Sequence, residues 1–152
     1  MRVSELTHND VLYVAAHMRE WDRREIYASR WDDDPVALTE SIMLMGAFSW
    51  ICGLDRPIAA IGAYPIYPGV WSCWMFATDE IKDIRVSLTR FVKRDMVNAL
   101  LRAGAHRVEC RSMEGHTDAH EWLKIMGVQY EATHPMAGKN GETFHTFAWV
   151  RK

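Results

Sequence analysis

A chain of 152 residues with 49% apolar and 25% charged residues can bury its own core and is too apolar to stay disordered. A formal charge of −2 removes any bulk electrostatic drive toward nucleic acid or an anionic membrane, and no stretch reaches the ~20 apolar residues of a membrane span. One domain over residues 1–152 is expected.

Cys52, Cys73 and Cys110 each fall in a strand-like run without a CxxC partner, as reduced thiols of a cytosolic protein do. The first residues, MRVSELTHND, hold no apolar run of the signal-peptide kind. Seven Trp and nine Met supply large contact area. Most of it is expected in the core, with Trp21, Trp31 and Trp71 left for a partner.

Met1–Glu5 reads as a short edge strand. Thr7, with Asp10 three residues on, opens a helix that buries Val11, Val14, Ala15 and Met18. Trp21–Arg30 is a second helix with Trp21, Ile26 and Tyr27 inward. Its dense charges, Glu20, Asp22, Arg23, Arg24 and Glu25, read first as a solvated, ion-paired face. The alternative is that Asp22 or Glu25 lines a cleft. Pro35 suits a first helical turn, and Val36–Met45 follows with Leu38, Ile42 and Met45 on one side up to Gly46.

Ser49–Gly53, Ile58–Tyr64 and Val70–Ala77 are strand-like, with turns at Leu54–Pro57, Pro65 and Pro68-Gly69. Together they predict an antiparallel meander. Asp79 or Asp83 is placed to cap the next helix, Ile84–Ala103. Its stripe is Ile84, Leu88, Phe91, Val92, Met96, Ala99, Leu100 and Ala103. Arg85, Arg90, Lys93, Arg94 and Arg102 lie off that stripe, as a solvated face. Arg107–Arg111 is a strand, so the long helix is a crossover and its flanking strands should be parallel. Asp118–Met126 is a short helix stopped by Gly127, and Val128–Thr133 resumes a strand. Asn140-Gly141 marks a turn before a last strand, Thr143–Arg151.

This order of elements resembles the GNAT acyltransferase superfamily over essentially the whole chain. The local match is Ala119–Val128, AHEWLKIMGV, a short helix ending in Gly before a strand. The resemblance implies an α+β fold: one twisted mixed sheet of about six or seven strands, flanked by helices on both faces. A narrower likeness, in His17–Ile26 with Trp122–Gly127, is to small GNAT-like proteins of short-tailed phages, including internal virion proteins.

In that family a glycine-rich turn after the third meander strand cradles the acetyl-CoA pyrophosphate on backbone N–H groups. The matching stretch, Thr78–Ser87, has no glycine and carries Asp79, Glu80 and Asp83, partly offset by Lys82 and Arg85. If the cofactor binds, the resemblance places it against Ala77, Thr78, Ile84, Arg85 and Val86. The family's acid is commonly a Tyr in the short helix, where this chain has Leu123. Tyr130 is the nearest phenol in sequence, and Glu80, Asp22 and Glu25 are the candidate bases. His116 and His120 share a helix face only if the helix starts early, so no metal is expected.

The expectation is therefore a virion-associated structural or ejection protein with an eroded acyl-CoA site and no cofactor. It would be made in the host cytoplasm and would contact portal, core or neck proteins or further copies of itself. Neither a membrane nor a specific nucleic-acid ligand is expected. The alternatives are an acetyl-CoA-dependent N-acetyltransferase acting on a protein or small amine, and an inhibitor of a host protein. The gap between Val70–Ala77 and Arg107–Arg111 separates them. An open gap with free N–H groups at Ile84–Val86 favours the enzyme, and one filled by Trp74 or Met113 favours the scaffold.

Overall fold

The computed structural model describes residues 1–46 and 48–152. The chain runs β1 (Arg2–Ser4), α1 (His8–Ala16), α2 (Glu20–Ala28), α3 (Pro35–Met43), β2 (Ser49–Gly53), β3 (Pro57–Tyr67) and β4 (Val70–Ala77). It continues with α4 (Ile81–Phe91), a π-helical turn (Val92–Met96), α5 (Val97–Arg102), β5 (Arg107–Met113), α6 (Thr117–Ile125), β6 (Gln129–His134) and β7 (Phe144–Val150). The seven strands form one sheet in the order β1-β2-β3-β4-β5-β7-β6. Among the described residues only β4 and β5 are parallel; every other neighbouring pair is antiparallel. The expected mixed α+β architecture and the parallel crossover are both present.

Alternation along β3 distributes the core. Ala59, Ile61 and Ala63 face one layer, with Ile84, Leu88, Phe91, Met96 and Leu100 of the crossover helix. Ala60 and Phe76 face the other, with Val11, Val14 and Ala15 of α1, Tyr27 of α2, and Leu38 and Ile42 of α3. Thr7 caps α1 through its hydroxyl, which accepts the Asp10 N–H at 3.2 Å. Asp34 does the same for α3 with the Val36 N–H, ahead of Pro35.

Several expectations are corrected. α3 stops at Met43, so Met45 is exposed rather than part of the buried stripe. β3 passes through Pro65 with a bulge, and only Pro68-Gly69 makes the turn. Met18 lies beyond α1 and bridges Thr78. The crossover helix begins at Ile81 after Glu80, and neither Asp79 nor Asp83 caps it; just ahead of it the Thr78 hydroxyl accepts the Glu80 N–H at 3.3 Å. The π turn shifts its phase, with Val97 N–H reaching Val92 C=O, and leaves Ala103 exposed. Trp71 is buried at 5% exposure and packs edge-on against Phe48, so it faces no partner, whereas Trp31 is fully exposed.

Candidate functional site

β4 and β5 pair at three positions only, Val70 with Arg107, Trp71 with Val108 and Ser72 with Glu109. Beyond Ser72 the strands part. A cavity of about 150 Å³ opens between Cys73–Met75 on one side and Cys110–Ser112 on the other. Val92, Met96 and Leu100 line it from the crossover helix, and Ala119, Trp122 and Leu123 from α6. Neither predicted plug fills it. Met113 turns away to pack with Ala28 and Phe144, and Trp74 lies along the wall and stacks on Phe76.

The wall nearest α2 is polar. Asp22 and Glu25, three residues apart, share one face of α2 and point into the molecule. The solvated-face reading therefore holds for Glu20 and Arg23, an exposed ion pair, and fails for these two acids. Asp22 is 2% exposed. Its Oδ2 accepts the Ala77 N–H at 2.8 Å and lies 2.9 Å from Arg19 Nε. Burial raises its carboxyl above the ordinary value, and the Arg19 charge opposes that. Glu25 reaches the end of β5, where Oε1 accepts the Met113 N–H at 2.7 Å. Its Oε2 meets His116 Nδ1 at 2.6 Å. His116 is also 2% exposed and holds its Nε2 3.5 Å from Asp22 Oδ1. Trp21 covers the imidazole in a stack, and Gly115, at φ 89°, lets that indole approach where a Cβ would sit 2.9 Å from it.

The other candidates do not converge here. Glu80 is tied to Arg56 on the surface, which holds its carboxyl below the ordinary range. Tyr130 is more than half exposed, hydrogen-bonds Thr133 on β6, and does not line the cavity. His116 and His120 do not face one ion. α6 starts after His116, and His120 Nε2 sits 3.1 Å from Ser112 Oγ. Leu123 does line the cavity and has no proton to donate. Cys73 and Cys110 both line the cavity wall just past the last strand pair, and their mutual influence lowers Cys73 and raises Cys110.

The end of the cleft toward α4 is occupied by the protein itself. The Arg19 N–H donates to Ala77 C=O at 2.9 Å, Asp22 takes the Ala77 N–H, and Met18 bridges Thr78. The Thr78 N–H donates to Ile58 C=O. The first-turn amides of α4 belong to Glu80–Asp83, so Ile84–Val86 sit within the helix, with Ile84 in the core and Val86 exposed. Of the first-turn amides, those of Ile81 and Asp83 already bond to Thr78 C=O and Glu80 C=O. Trp122 donates to Thr89 Oγ1 at 2.8 Å, which ties α6 to α4. Two further spaces lie between them: one of about 90 Å³ bounded by Arg19, Met75, Arg85 and Trp122, and a broader groove of about 740 Å³ lined by Arg85, Arg90, Lys93, Arg94, Trp122 and Ile125.

No protein-family model matches this sequence, and no curated protein does. Solved structures match its shape closely. Ard1 from Thermoplasma volcanium superposes with a TM-score of 0.77 at 12% identity, over 99% of this chain and 97% of that one. A GNAT-family acetyltransferase from Bacillus anthracis gives 0.72 at 11%, over 97% and 93%. The fold is that of the GNAT acetyltransferases. The putative acetyltransferase yncA from Salmonella typhimurium, solved with its cofactor acetyl-CoA, gives 0.70 at 13%, over 100% and 94%.

Acetyl-CoA can be tested against the residues present. The splayed cavity has room and apolar walls for a small acyl group. The start of α4 is poorly suited to the diphosphate end, with Lys82 and Arg85 only partly offsetting its acids. Exposed Asp79 and Asp83 flank the start of α4, no glycine opens its backbone, and the adjoining groups of Ala77 and Thr78 already have partners.

Proposed function

We propose that this chain uses the GNAT fold for assembly rather than catalysis. In this reading it is a virion-associated protein that contacts portal, core or neck components, as its likeness to internal virion proteins suggests. The observation that carries the reading is the closed end of β4, where Arg19 and Asp22 hold both backbone groups of Ala77 and Met18 bridges Thr78. A strand edge that bonds to its own chain has nothing left to offer an extended cofactor arm. Calorimetric titration with acetyl-CoA should give no heat at millimolar cofactor, and purified particles should contain the chain by mass spectrometry. Micromolar binding defeats the loss of the cofactor site, and a particle free of the chain defeats the assembly role.

A second reading, an N-acetyltransferase acting on a protein or small amine, has its own support. The cavity past Ser72 is open, and Asp22, Glu25 and His116 line it as polar groups able to hold or take a proton. The solved structures it resembles are acetyltransferases. Transfer of labelled acetyl to an amine panel would favour this reading over the first.

A further inference from the structure

We propose that Asp22 and His116 form a binding site for a single zinc-type divalent cation, with Glu25 fixing the imidazole. It uses the same three residues as the second reading but depends on neither reading, since neither calls for a metal. The two donor atoms, Asp22 Oδ1 and His116 Nε2, belong to side chains that are each 3% exposed and that line the splayed cavity. Among the described residues neither atom has a hydrogen bond. Their 3.5 Å separation is long for a hydrogen bond but right for an ion between them. With metal–ligand bonds of about 2.1 Å, that spacing subtends about 113° at the ion, close to tetrahedral.

The supporting groups are those a metal-bound histidine needs. His116 Nδ1 faces Glu25 Oε2 at 2.6 Å, and in the tautomer that donates its Nδ1–H to that carboxylate the Nε2 lone pair points at Asp22. Glu25 is itself held by the Met113 N–H. The other oxygen of Asp22 is held by the Ala77 N–H and Arg19, which aims Oδ1. With a neutral imidazole, two carboxylates and one guanidinium leave a local charge of −1, which attracts a divalent cation. Two protein ligands leave the remaining positions to water from the cavity. Because Asp22 sits on α2 and His116 follows β5, the ion would clip the two sides of the splay together.

The test uses the full chain. Zn²⁺ titrated by calorimetry should bind with one equivalent, and Co²⁺ should give the visible absorption of a four-coordinate ion. Zn²⁺ should also move the His116 Nε2 nitrogen NMR shift. Glu25→Gln should weaken the affinity about 10–100-fold without abolishing it, and Asp118→Ala should leave it unchanged. Absence of binding at millimolar Zn²⁺ or Co²⁺ overturns the site. So does binding that leaves the His116 nitrogen unmoved, because the ion would then sit elsewhere.

Discussion

The two ends of the cleft between β4 and β5 are built differently. Past Ser72 and Glu109 the strands separate around an apolar cavity with a polar wall, as a site would require. Five residues further along β4, the same cleft is sewn shut by Met18, Arg19 and Asp22. Past Ser72 there is open space, while the backbone groups of Ala77 further along are already bonded within the chain. A shared fold does not by itself decide function.

The largest effect should come from the residue that joins the two ends. Asp22→Ala strips the buried Ala77 N–H and Arg19 of their partner, and should lower stability by roughly 3–5 kcal/mol in urea unfolding. A loss within experimental error would mean that Asp22 does not seal the strand. Glu25→Ala acts on the open end, freeing the Met113 N–H and His116, and should cost roughly 1–3 kcal/mol by the same measurement. Trp122→Phe removes the hydrogen bond to Thr89, worth about 0.5–1.5 kcal/mol, and part of the indole's packing on the core. If α6 then separates from α4, hydrogen exchange at Thr89–Val92 should rise.

The smallest effect is a pH dependence on the α6 side. Burial and the neighbouring His145 hold His120 below its ordinary value. As pH falls below about 6.5 the unfolded chain takes up that proton before the folded chain does. Stability is therefore full above that pH and declines as pH drops through the folded value. His120→Gln should flatten that slope in thermal melts at a series of pH values. An unchanged slope would assign it to other groups.

Most of the scaffold was legible because it rests on local rules. The Thr7 cap, the Val70–Ala77 strand, Gly127 and the parallel crossover all follow from periodicity and turn chemistry within a few residues. Errors came where a distant element overrode a local pattern. Asp22 and Glu25 read as solvated because their neighbours Glu20, Arg23 and Arg24 are; only their three-residue spacing hinted at a shared face. Their partner His116 lies 91 residues from Glu25, and no spacing rule connects them. Trp71 looked available to a partner, and Phe48 across the sheet covers it. The absence of glycine in Thr78–Ser87 was visible from the start. That Met18 and Arg19 fill the gap was not, since both bond to residues far along the chain, at Thr78 and Ala77.

Amide NMR during an acetyl-CoA titration tests the closed cofactor end most directly. The signals of Ala77–Asp83 should stay in place at millimolar cofactor, because their neighbourhood is already bonded within the chain. A saturable shift centred on those amides would show that the turn still holds the nucleotide, and the assembly reading would fail.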